Sequence, residues 1–160
     1  MGAIIINVLP NQLGLETRRG TQIVNYIDRI LPTYGDSLRI ADYREQYPHE
    51  THRPDEASRK YNCHGLTFAS RRTRILDPAE IAKILREDEY SEVAFTDVLP
   101  GDIVVYYKDG DLEHSGIVVS VDNFHVPTIL SKWGSVHEVV HKVSQCPYDP
   151  ANARYYRITT

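Results

Sequence analysis

Cysteine is scarce in this sequence, with two residues, Cys63 and Cys146, among 160. Two cysteines cannot build a disulfide scaffold, and their unlike settings argue for two free thiols in a reducing compartment. Positive charge is also in short supply: 18 Lys+Arg stand against 22 Asp+Glu, a formal charge of −4 with His neutral. That balance argues against the broad basic footprint of a nucleic-acid binder. The one basic cluster, Arg71-Arg72-Thr73-Arg74, reads as a solvated helix end. No stretch approaches the roughly 18–20 apolar residues of a membrane span. Ala3–Leu9 is apolar but lacks the basic flank and small-residue cleavage site of a signal peptide. Met1-Gly2 fails as a myristoylation start, because Ile6 stands where Ser or Thr is needed. The expectation is cytoplasmic synthesis without a Sec signal, with delivery elsewhere only through a specialised secretion route.

What is present is an ordinary globular composition, 41% hydrophobic and 25% charged, unlike disordered or fibrous chains. The length suits a single domain, 1–160, able to bury about two thirds of its unfolded surface without a disulfide or metal. Ala3–Leu9 reads as a short strand. Thr21 opens an expected helix in which Ile23, Tyr26, Ile27, Ile30 and Leu31 recur every three to four residues, ended by Pro32. Residues 33–60, rich in Tyr, Pro, His and Arg, read as an irregular surface excursion lining a cleft. A helix is expected from Cys63 to about Arg74. Asp77-Pro78-Ala79-Glu80 starts another, with Asp77 as N-cap, Glu80 closing a capping box, and Ile81, Ile84 and Leu85 as the apolar face. After Leu99-Pro100-Gly101-Asp102 the pattern turns to strands, at Ile103–Tyr107 and Glu113–Val121 around the hairpin signal Asp109-Gly110. Further strands are expected at Val126–Trp133, Ser135–Val143 and Arg154–Thr159. Helices first and an antiparallel sheet after make the fold class α+β.

Chemistry concentrates at Tyr61-Asn62-Cys63-His64-Gly65-Leu66-Thr67-Phe68. At the first turn of a helix, free N–H groups and the positive dipole end favour a thiolate. Gly65 leaves space one turn from the sulfur, while Leu66 and Phe68 anchor the helix. The alternative is that Cys63 is a small buried hydrophobe, the common fate of a free cysteine. Glu113-His114-Ser115-Gly116-Ile117-Val118-Val119 then puts a histidine at the mouth of an apolar strand. A cysteine with a spatially adjacent histidine is the minimum for an activated sulfur nucleophile.

Three ordered blocks resemble the NlpC-type papain-like cysteine peptidases and amidases. They are Asn62-Cys63-His64-Gly65-Leu66, Pro100-Gly101-Asp102-Ile103-Val104-Val105-Tyr106 and His114-Ser115-Gly116-Ile117-Val118-Val119. The family reads Asp-Cys-Ser-Gly-Leu, Pro-Gly-Asp-Leu-Val-Phe-Phe and His-Val-Gly-Ile-Tyr, and the related CHAP amidases share the order. The resemblance covers roughly residues 60–135. It implies a papain-like fold of N-terminal helices packed on a C-terminal antiparallel sheet. Residues 1–60 would then line the cleft and residues 61–160 would form the catalytic core. Cys63 would be the nucleophile and His114 the general base. Amide or peptide hydrolysis would pass through a thioester, with no cofactor.

Asn62 and His64 depart from the family's Asp and Ser. The polar residue that orients the histidine ring is also open. With a turn at Asp122-Asn123, strand pairs sum to about 245, which sets Ser131 opposite His114 with Lys132 beside it. His141 is another candidate, as are His125 and His137. One oxyanion donor would be the Cys63 backbone N–H. The Asn62 amide or Tyr61 hydroxyl would be a second, unless each caps or packs against the helix. His64 and Trp133 complete the expected substrate-side set, although the only Trp equally suits sheet packing, with Gly134 turning the chain. His49, His52, Cys63 and His64 match no tight zinc spacing, so no metal is expected. Cys146 reads as structural, and Tyr106, Tyr107, Tyr155 and Tyr156 as sheet packing.

The expected partner is a peptide, of the peptidoglycan-stem type by resemblance, or an isopeptide substrate. Nucleic acid and membrane are not expected. A delivered bacterial effector, a phage-associated lysin and a cytosolic peptidase all suit such an enzyme, and an effector would carry a cognate inhibitor or immunity protein. A non-catalytic binding module and an acyltransferase using the same pair remain alternatives.

Overall fold

The computed structural model describes residues 11–134 and 136–159; the strand expected at Ala3–Leu9 lies outside them. The elements, in chain order, are α1 (Tyr34–Gln46), β1 (Thr51–Arg53), α2 (Cys63–Phe68), α3 (Pro78–Glu87) and β2 (Tyr90–Val93), then β3 (Ile103–Lys108), β4 (Asp111–Val121), β5 (Pro127–Trp133), β6 (His137–Lys142) and β7 (Ala153–Ile158). The seven strands form one antiparallel sheet in the order β1-β6-β5-β4-β3-β7-β2. The class is α+β. No helix among the described residues is long and apolar enough to cross a membrane.

Alternation along the strands sends side chains to two faces. Val104, Tyr106, Val118, Ile129, Trp133 and Val139 pack on one face, joined by Tyr43 and Tyr47 from α1 and its C-terminal end. Val105 and Leu112 point the other way, onto Ile75, Ile81, Ile84 and Ala69, so α2 and α3 cover that face. The hairpin between β3 and β4 turns through Asp109 and Gly110, both at positive φ (52° and 84°), as a two-residue type I′ turn requires. Asp102 caps the start of β3. Its carboxylate accepts from Leu99 N at 2.8 Å and pairs with Arg157 of β7 at 2.7 Å, which holds its pKa down.

Several expectations are corrected. Residues 21–31 are extended rather than helical, bridging at Glu16–Gln22 and Tyr26–Arg74. Ile23, Asn25 and Ile27 are buried while Val24 and Tyr26 are exposed, a period of two that β-branched residues favour. Residues 33–60 are not irregular: they hold α1 and the edge strand β1. Thr33 starts α1 with a reciprocal capping box to Asp36. α2 ends at Phe68, not Arg74, and Ser70 and Arg71 follow at positive φ. The basic cluster is therefore no solvated helix end. Arg71 pairs with buried Glu138 and Arg74 with Asp28. Asp77 does cap α3, but Glu80 closes no box; its carboxylate accepts from Val24 N and Lys83 Nζ.

Candidate active site

Asn62 sets the start of α2. Its Oδ1 accepts from Gly65 N at 2.9 Å and Ile75 N at 3.1 Å, and its Nδ2 donates to Ile75 O at 2.8 Å. Every polar atom of the side chain is thus committed to the helix start and to the returning chain. Asn62 is a cap and a clamp, and no oxyanion donor. Gly65 leaves no space for a substrate either. A Cβ there would stand 1.8 Å from the Thr73 carbonyl oxygen, so this glycine exists for a close backbone approach.

Cys63 is half-buried at the first position of α2. Burial pushes its thiol up to about 11, opposed by the backbone N–H groups of Ser115, His64 and Cys63 itself and by the Lys132 charge. Pairing of β4 with β5 runs only from Gly116–Ser131 to Val121–Pro127, which leaves Ser115 unpaired on that side. The Ser115 side chain turns to α2. His64 Nδ1–H donates to Ser115 Oγ (2.8 Å), Ser115 to Thr67 Oγ1 (3.0 Å), and Thr67 to the Cys63 carbonyl (2.9 Å). His64 is therefore bound inward and is not a substrate contact. Burial lowers its pKa to about 4.

His114, the neighbour of Ser115 on β4, points to the opposite face beside Tyr106. It is 1% exposed, and its Nε2 has no hydrogen-bond partner, Cys63 included. Burial, reinforced by His64 and His141, holds its pKa well below 6.5, so the ring is a neutral imidazole. Tyr148 lies flat against it, with centroids 3.6 Å apart and planes 8° from parallel. Nothing in the sequence pointed to Tyr148, whose contact depends on the turn after β6.

The expected register is off by two. Ser131 pairs with Gly116, not His114, because the turn from Asp122 to Val126 shifts the first pairs by three and a bulge at Val119 takes one back. Ser131 serves His141 instead. His141 Nδ1–H donates to the Lys142 carbonyl, so its Nε2 accepts from Ser131 Oγ at 2.7 Å, and Ser131 accepts from Trp133 Nε1 at 3.1 Å. Trp133, 1% exposed among Tyr43, Tyr47 and His52, is a core residue closed to substrate.

Lys132 points to the α2 face. Its Nζ donates to the Ser58 and Tyr61 carbonyls and sits 3.5 Å over the Tyr61 ring. Burial brings its pKa down to about 7, against the pull of Glu138. Tyr61 OH donates to Glu138, which Arg71 holds through two bonds of 2.8 and 2.9 Å. Tyr61 is therefore committed to that network and no oxyanion donor. The Arg71–Glu138–Tyr61–Lys132 network was not foreseen, since its members are far apart in the chain. His137 donates to His52 Nδ1 at 3.2 Å and takes no part in the site. No cluster of three metal-ligating side chains occurs among the described residues. Cys146 is buried, its thiol directed at the Val143 carbonyl.

Comparison with family models, curated proteins and solved structures gave no match for this chain.

Proposed function

We propose that this chain is a cysteine-dependent hydrolase of amide or peptide bonds on a papain-like fold, with Cys63 as nucleophile and His114 as general base. One observation carries the reading. The Cys63 sulfur faces the backbone N–H of Ser115, and the next residue, His114, holds the only buried histidine nitrogen without a hydrogen-bond partner among the described residues. Buried polar atoms are otherwise nearly always satisfied, so an orphaned one asks for a functional account.

Both groups are neutral at rest, so the chemistry is general-base catalysis rather than a preformed ion pair. As sulfur attacks the carbonyl carbon, the thiol proton passes to His114, and the backbone N–H of Ser115 or Cys63 faces the developing oxyanion. The C–N bond breaks and the imidazolium gives its proton to the leaving amine. Water then attacks the thioester with His114 again taking the proton, releasing acid and free thiol. The thiol and Nε2 are not in contact at rest, so the step requires substrate binding to bring them together, as catalytic contacts often tighten only in the complex.

Peptidoglycan stem peptides and isopeptide conjugates are the substrates to screen, with products and any thioester read by mass. Hydrolysis is expected from the native chain and from Cys146→Ser, and none from Cys63→Ala; turnover surviving in Cys63→Ala would falsify the proposal. The pair itself is read by iodoacetamide alkylation of Cys63 against pH. Base-assisted attack gives a rate independent of pH between the two pKa values. His114→Ala is expected to replace that plateau with a rise of about tenfold per pH unit, the signature of unassisted thiolate. The burial of His114 and the neutral thiol also favour a second reading, a binding module without turnover on the same fold. It would show neither plateau nor product.

A further inference from the structure

A neutral imidazole that must become a cation in a dry site needs something to hold its plane and to stabilise its charge. For His114 no polar side chain does either: Ser131 is given to His141, Lys132 lies on the other face, and Nε2 is unpartnered. The titratable groups around it are His64 from α2, His141 from β6, Tyr106 from β3 and Tyr148. The two histidines are themselves neutral above about pH 4 and supply no counter-charge, and no carboxylate is among the groups that shift His114. We propose that Tyr148 is the positioning residue of His114, its ring acting in place of the polar third member that usually orients a catalytic histidine. The inference rests on the reading of Cys63 and His114 as nucleophile and base.

The geometry is specific. Rings 3.6 Å apart and 8° from parallel form a face-to-face sandwich. Two neutral rings disfavour that arrangement, because their negative faces oppose each other. A cation over a ring face favours it, most of all when desolvated. The pair is therefore better matched to the imidazolium than to the resting imidazole, which is the differential that lowers a barrier. Tyr106, tilted at 51° and 5.6 Å away, borders the imidazole on the sheet side. Tyr148 is itself held: its hydroxyl meets the Gly134 backbone N–H, and the Cys146 thiol is directed at its carbonyl. Its outer side borders an open pocket of about 430 Å³ with Glu113, Lys108 and Asp149.

The test is alkylation of Cys63 by iodoacetamide in the full-length chain. In that reaction the S–C bond forms, iodide leaves and the thiol proton goes to His114. Tyr148→Phe and Tyr148→Trp, which keep a π face, are expected to keep the pH-independent plateau. Tyr148→Leu is expected to lower it about tenfold, the range of a desolvated cation–π contact. The double variant with His114→Ala should be no slower than His114→Ala alone. Tyr148→pentafluorophenylalanine keeps the shape but reverses the ring's electrostatics, so it should lower the plateau even where Tyr148→Leu does not fold. An unchanged plateau in both Leu and pentafluoro variants, a faster rate in Tyr148→Leu, or strictly additive losses would make Tyr148 a cover or a packing residue and overturn the inference. Absence of the plateau already in the native chain would instead remove the reading of His114 as base, a separate failure.

Discussion

At the scale of single residues, the side chains on either side of Cys63 have local roles. Position 62 needs a side chain that accepts from Gly65 and Ile75 N–H while donating to the Ile75 carbonyl. Asparagine does both, whereas an aspartate would face that carbonyl with a lone pair. Asn62→Asp is therefore expected to destabilise the fold by about 1–3 kcal/mol, the cost of an unsatisfied buried group. Urea midpoints measure it, and a variant as stable as the native chain would show the clamp to be unimportant. His64 likewise acts through one atom, the Nδ1–H given to Ser115. An asparagine amide reaches about where Nδ1 lies, so His64→Asn should retain the alkylation plateau of Cys63 and His64→Ala should lose much of it. Equal plateaus in the two variants would end that role.

At the scale of elements, what was legible depended on how local the determinant was. The Asp109-Gly110 turn, the Asp77 cap with Pro78, and the start of α2 after Asn62 each rest on a few adjacent residues, and each is legible in the sequence. Residues 21–31 defeat pattern reading because Ile23, Ile27 and Ile30 fit a helical spacing as well as an extended one. The arbiter is Asn25, which lies too far from its partners for pattern reading to find. Its amide accepts from Leu13 N and Thr73 Oγ1 and donates to the Leu13 and Ile23 carbonyls. A helix would turn that side chain away from both neighbours. Asn25→Ala leaves buried groups unpaired at several points and is expected to cost about 3 kcal/mol. A loss below about 1 kcal/mol in thermal or urea unfolding would mean that other contacts hold the segment extended. The Ser131 register has a similar cause: the longer turn at Asp122–Val126 and the bulge at Val119 together shift Ser131 by two, which leaves its face unchanged, so hydrophobic alternation does not detect it.

At the scale of the whole molecule, the sheet buries an unusual set of bases in their neutral forms. His64, His137 and His141 have pKa values lowered to about 4 from 6.5, and that of His114 is held well below 6.5, all chiefly by desolvation. An unfolded chain binds protons at these sites from pH 6.5 downward while the folded chain does not. Their contribution is therefore fully present above 6.5 and lost as pH falls toward 4, at about 1.4 kcal/mol per unit for each histidine. Lys132 extends the same slope upward, because its amine titrates near 7 when folded and at 10.5 when unfolded. The lowered carboxylates of Asp28 and Asp102 act in the same sense but only below 3.8. Above pH 9 the Cys63 thiol, which resists ionisation in the fold, offsets the Lys132 slope and flattens the curve. Net stabilities of domains are roughly 5–15 kcal/mol, so several such groups acting together make the fold markedly less stable at pH 5 than at pH 7. Urea midpoints taken from pH 4.5 to 9 should climb steeply to about pH 7 and then more gently toward 9. Lys132→Met should flatten only the upper part, because its proton is the one exchanged there. A maximum near pH 6, or an upper slope unchanged in Lys132→Met, would mean that water reaches these groups and that the sheet is far less dry than its packing indicates.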